Sequence, residues 1–395
     1  MTPSPRHRAF TLVELLVVVG IILILLAILL PAIQKVREAA NRIECSNHLR
    51  TIGQGVNLYL AAHQKYFPTP GLGFITPAPE YEIWSRLLLD TGQPVTSVQR
   101  MGWMFQILPY VGYEDIWSLR RGNLKPYVGP AMANLGPNTF YVDATADDEI
   151  RKTPIPLYMC PSRRGPQLIT TAAPLGFQYY TSDYAGNAGP FSFVTKISDS
   201  FEFNAPGAST AAAGGGGIFN GIPDLNLIAK SVHVRDVTDG LANTLLVGEK
   251  AYNHERLGIS QWGENKSYCY GFGPSTLRCG LVPPQRDFSA QKAFESGSPY
   301  AESTPLGYDL RQDGFGSAHP HSFNALFADG SVRAIRYALP SDPQVRPVWN
   351  VLMAQYDYPA LPSPPNPSNS VALTLFQRLC HRSDGGTVNM SLLDE

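Results

Sequence analysis

Residues 10–33 read FTLVELLVVVGIILILLAILLPAI, and from Leu15 to Ile33 none of the 19 residues carries a charge. At ~1.5 Å rise per helical residue this run covers about 29 Å, close to the ~30 Å of a bilayer's hydrocarbon core and longer than the ~7–15 residue apolar region of a cleaved signal. One membrane span is expected. Ahead of it, residues 1–9 (MTPSPRHRA) hold Arg6 and Arg8, and a large body follows. Cationic residues before a span predict a cytoplasmic amino terminus and an extracytoplasmic body, the topology of a single-pass inner-membrane protein. Glu14 interrupts the pattern at the lip of the span, where a carboxylate is costly unless it meets a partner or reaches headgroup water.

Downstream the pattern turns amphipathic. Ile33, Val36, Ala40 and Ile43 recur at steps of three and four, and Cys45, Leu49, Ile52, Val56 and Tyr59 continue in a second phase. These spacings predict a helix that continues to about Gln64, with Lys35, Arg37, Glu38, Arg42, Glu44 and Arg50 on a solvated face. The stretch FPTPGLGFITPAPE at 67–80 then breaks it.

The 395 residues include 35 glycines and 34 prolines, which punctuate helices and strands too often for an all-helical bundle. A net charge of -1 offers no broad positive field for a phosphate backbone, so nucleic acid is not expected as a partner. Residues 154–162 (PIPLYMCPS) read as a buried strand ended by Pro161, and 181–189 as a turn-rich connection. Thr244–Glu249 reads as an apolar strand behind the Asp239-Gly240 turn. Ser322–Ala328 and Ser331–Tyr337 flank Asp329-Gly330, two residues suited to the positive φ angles of a type I′ turn, which predicts a hairpin.

Cys45, Cys160, Cys269, Cys279 and Cys380 form no C-x-x-C pair, and the odd number leaves one unpaired within the monomer. In an extracytoplasmic body Cys269 and Cys279 are the cheapest pair to close, because their loop is short and rich in Gly, Pro and Ser; buried thiols are the competing reading. No H-E-x-x-H, G-x-S-x-G or phosphate-cradling loop occurs, so no enzyme activity and no cofactor is expected. His319, His321, Asp313 and Asp329 are the one cluster of metal-ligand types along the chain. Pro320 spoils a common direction for the two histidines, and His319 reads as a hydrogen-bonded structural residue rather than a ligand, so no metal is expected.

Ala9 followed by Phe10-Thr11-Leu12-Val13-Glu14 resembles the processing site of type IV prepilins and pseudopilins, where a short basic leader is removed before an aromatic residue whose new amine is methylated. That family normally carries Gly where this chain has Ala9. The resemblance implies cleavage before Phe10 by a prepilin peptidase/methylase, a Glu14 carboxylate that neutralises the ammonium of a neighbouring subunit's first residue, and a helix kink at Pro31. Further along, Cys45-Ser46-Asn47-His48-Leu49, Cys160-Pro161-Ser162, Asp183-Tyr184-Ala185-Gly186, Asn243–Glu249 and the His-x9-Asp-Gly pattern of His319, Asp329 and Gly330 resemble a planctomycete-type prepilin-like family. Its large domain is one of unknown function, DUF1559, and the likeness covers about residues 8–340.

The resemblance implies an α+β, pilin-like fold in which a long amino-terminal helix packs on an antiparallel sheet within an enlarged β-rich body. The expected organisation is a leader at 1–9, a transmembrane and methylation segment at 10–33, an amphipathic continuation at 34–66, the body at 67–340 and an extension at 341–395. It further implies a structural subunit of a type IV pilus or a type II secretion pseudopilus, minor or specialised, whose partners are other pilin-like subunits and the membrane. The competing reading is a membrane-tethered extracytoplasmic ligand-binding protein that keeps Met1.

Overall fold

The computed structural model describes residues 12–71, 101–119, 144–170, 178–189, 217–219, 231–259, 312, 314–337 and 375–385, most of 263–289 and 388–394, and three short strands between 87 and 142. Ala9, Phe10, Asp313 and the Pro-rich 361–367 lie outside the described residues.

Helix α1 spans Leu12–Ala62, 51 residues, with Pro31 inside it, so the helix continues beyond the apolar run and ends close to the expected Gln64. Its termination is local. Gln64 (φ 52) and Lys65 (φ 67) turn into the left-handed region, and the Lys65 amide donates back to the Leu60 carbonyl at 2.8 Å. Pro68 and Pro70 follow and cannot resume a helix.

The body contains β1 (Leu87–Leu88), β2 (Leu124–Pro126), β3 (Phe140–Val142), β4 (Ile169–Thr170), β5 (Gln178–Tyr179) and β6 (Tyr184–Gly189). After these come β7 (Leu245–Glu249), β8 (Leu277–Cys279), β9 (Gln285–Arg286), β10 (Gly316–Ser317), β11 (Ser322–Phe327) and β12 (Val332–Arg336). A five-stranded sheet in the order β12-β11-β7-β6-β8 organises the body, antiparallel throughout except for the parallel β6–β8 edge. The architecture is therefore α+β, one long helix against a mainly antiparallel sheet.

Period-two alternation gives the sheet two apolar faces. On β11, Leu326 joins Leu49, Ile52, Val56 and Tyr59 of α1 in the larger core, while Phe323, Ala325 and Phe327 point the other way into a second core. Gly53 lets helix and strand approach closely: a Cβ there would lie 2.8 Å from a Leu326 methyl. Phe376 and Leu379 of the helix Leu375–Cys380 cover the second face, so the chain beyond 341 walls a core.

Three local expectations are corrected. Residues 154–162 form no strand; a 3-10 turn occupies Pro156–Tyr158, because Pro154, Pro156 and Pro161 remove ladder donors. The turn-rich 184–189 is instead the buried strand β6, where Gly186 sits under the Phe219 ring, 2.4 Å from where its Cβ would be. The β11–β12 hairpin forms, but of its two turn residues only Gly330 has positive φ (90). Gly330 N donates to Phe327 O at 2.9 Å and Phe327 N to Ser331 O at 2.8 Å, a three-residue connection rather than a type I′ turn.

Candidate functional site

Two regions of α1 carry the candidate functional side chains. In the first, Glu14 occupies the first turn, exposed, and the apolar residues behind it face outward on every side, from Leu12 (79% exposed) to Leu30 (61%). Pro31 is also exposed. A helix apolar all round has no single face to bury and needs an apolar surrounding, lipid or other helices.

The second region is a buried polar tie between α1 and the body. Glu38 and Cys45 lie on the helix two turns apart. Opposite them are Cys160 and Ser162, held on the proline-rich loop, His319 on the loop before β11, and Glu249 at the end of β7. His319 Nδ1 is 2.5 Å from Glu38 Oε1 and its Nε2 is 3.2 Å from Glu249 Oε1. Ser162 Oγ donates to Glu38 Oε2 at 2.7 Å, and the Cys45 and Cys160 sulfurs approach to 2.8 Å. Tyr337 fixes the histidine loop by donating to the His319 carbonyl at 2.8 Å. His48, one turn beyond Cys45, bonds the Met159 carbonyl through Nδ1 at 3.0 Å.

Electrostatics hold this arrangement charged. Burial disfavours the His319 imidazolium, but its hydrogen bonds to Cys160 and Glu249 and the Glu249 charge outweigh that and raise it to about 11. Burial pushes Glu249 up, yet the His319 hydrogen bond and charge, with the Asn324 amide, bring it below the usual carboxylate value. The hydrogen bond from Cys45 and burial raise the Cys160 thiol.

Beside this cluster runs a buried ionic network. Arg163 grips Asp287 through two nitrogens at 2.9 Å, Arg164 reaches Asp183 at 2.9 Å and Glu264, and Asp183 also accepts the Cys160 amide at 2.8 Å. Four cationic side chains approach the Tyr252 ring, Arg163 at 4.5 Å, Lys250 at 5.1 Å, Arg164 at 5.2 Å and Arg278 at 5.8 Å. Burial, then Arg278, pushes Lys250 well below its ordinary value.

The structure disperses the ligand types that lie near one another in sequence. His321 and Asp329 are exposed at opposite ends of β11, and Asp329 Oδ1 caps the hairpin turn by accepting from Ser331 N and Oγ. Among the described members, His319 is the one that enters the cluster. Among the described residues, Cys45, Cys160, Glu249 and His319 place one possible metal-ligand atom each within 4.8 Å of one another, a convergence the sequence did not disclose. A signal for it existed: every stretch beyond the apolar run on which the family resemblance rests supplies a residue to this cluster or to the network beside it. Cys269 and Cys279 are both buried and not bonded to each other; no sulfur–sulfur bond joins any of the five cysteines in the structure.

The family model described as protein of unknown function (DUF1559) matches residues 34–342, and that of the prokaryotic N-terminal methylation motif matches residues 4–30. No curated protein and no solved structure matches the chain.

Proposed function

This chain belongs to the DUF1559 family and begins as a type IV pilin-like precursor, and on that premise we propose that it is a structural subunit assembled through α1 into a type IV pilus or a type II secretion pseudopilus. A single juxtaposition carries the reading: a methylation motif at 4–30 leads into an apolar rod left bare on all sides, with Glu14 in its first turn. Prepilin peptidase/methylase removes residues 1–9, Phe10 becomes the methylated first residue, and Glu14 pairs with that amine on a neighbouring subunit. Two charges costly alone in an apolar medium thereby fix the register of lateral helix packing.

The rod is anchored in the inner membrane before assembly, amino terminus inside and body outside. Function then resides in assembly rather than catalysis. The large body points to a minor or specialised component.

Intact mass of the membrane-extracted protein tests this directly. A chain starting at methylated Phe10 is expected; a retained Met1 would mark a simple anchor and favour the tethered ligand-binding reading.

A further inference from the structure

The geometry points to a covalent tie between α1 and the body: Cys45 and Cys160 form a disulfide as the exported body folds. The two sulfurs are 2.8 Å apart, both residues are fully buried, and 115 positions separate them in sequence. Closing them to the ~2.05 Å of a disulfide takes less than about 1 Å of movement.

Zinc would ask for the opposite displacement, since two sulfurs each ~2.3 Å from a tetrahedral metal stand about 3.8 Å apart. His319 also argues for the bond over the metal. Both its ring nitrogens face carboxylates, Glu38 at 2.5 Å and Glu249 at 3.2 Å, so each is already engaged by a partner nearer than the Cys160 sulfur, 4.0 Å from Nε2. The histidine is thus engaged chiefly by its two acids, with the Cys160 sulfur 4.0 Å from Nε2, against 2.8 Å between the two sulfurs.

Oxidation breaks one S–H bond on each cysteine and forms one S–S bond. The two electrons and two protons pass to a disulfide-bearing oxidant of the extracytoplasmic compartment, which leaves as its dithiol after a mixed disulfide with one of the two sulfurs. The inference rests on the exported topology of the proposed function, because a reducing cytoplasm keeps such thiols reduced.

The test uses the full chain in cells, acid-quenched, alkylated without reduction, digested with trypsin and mapped by mass spectrometry. Peptides 43–50 and 153–163, which hold Cys45 and Cys160, are expected joined in the unreduced digest and separate after reductant. The joined species is expected to vanish in the Cys45→Ala/Cys160→Ala variant. Recovery of both cysteines carrying the alkyl label overturns the proposal, as does one equivalent of zinc in a purified chain whose two thiols are reduced. Protease accessibility in spheroplasts of the same cells separates the two ideas. A digestible body with reduced cysteines sinks the tie alone, whereas a protected body sinks the assembly reading as well.

Discussion

The two halves of α1 are both rich in apolar residues, yet they meet opposite fates. From Leu12 to Leu30 the large aliphatic side chains are exposed, and from Cys45 to Tyr59 the apolar side chains of one face are buried, with Cys45, Leu49 and Ile52 at 0%. The difference lies in the intervening residues. The rear half places Arg50, Gln54 and Asn57 on its outer face and Gly53 and Gly55 on its inner one, so a sheet can approach one side while water takes the other. The front half offers no polar side from Leu15 to Leu30, and one body face could never satisfy it. Hydrophobicity alone does not bury a helix against its own domain; asymmetry does.

That contrast can be broken at several points. Glu14→Ala carries the largest expected effect: the protein stays in the membrane fraction but disappears from sheared filaments. Normal recovery would mean that the front half is only an anchor. Next, Glu249→Gln removes one partner of the buried His319 pair at the rear, and an unfolding free energy lower by about 3–5 kcal/mol is expected in urea titrations of the detergent-solubilised chain.

Ile52→Ala is expected to cost the body about 2–5 kcal/mol, since it empties a filled core position. Ile22→Ala on the front half should leave the body within about 0.5 kcal/mol of the parent, as exposed positions do. Equal effects would erase the distinction between the two halves.

The pH response sharpens it further. With Cys160 a free thiol, His319 is raised from an ordinary 6.5 to about 11, so its contribution is complete below pH 6.5, declines above it, and is gone once the pH has risen through about 11. Glu249 is depressed from an ordinary 4.5, so its contribution is complete above that pH and is lost as the pH falls through the lowered value. The tie is therefore strongest between pH 4.5 and 6.5. In the chain kept under reductant, stability should fall from pH 6.5 to 9 by up to about 1.4 kcal/mol per pH unit, and His319→Gln should flatten that slope. A parent protein whose urea midpoint is unchanged over this range would show that the histidine is not held charged.

Much of the fold was legible in residue order. The exposed apolar front of α1, the helix carried past Pro31 to its end near Gln64, β7 and the β11–β12 hairpin all follow from signals confined to short windows of sequence. Where reading failed, a neighbour distant in sequence had changed the meaning of a residue. Gly186 looked like part of a turn but sits beneath Phe219 in a central strand, and Ile33, Val36 and Ile43 formed a helical face that the body leaves uncovered. Periodicity shows that a face is apolar without showing what it meets.

Residue order alone established a long helix ending near Gln64, its uncharged front, and the carboxylate at its lip, because each depends on charge and spacing between near neighbours. Only the tertiary structure decided that Cys45, Cys160, Glu249 and His319 share one buried site with the half-buried Glu38 at its edge. Glu38 and His319 are 281 positions apart, and the proximity of residues so distant in the chain is set by how helix and sheet pack, to which no local pattern has access.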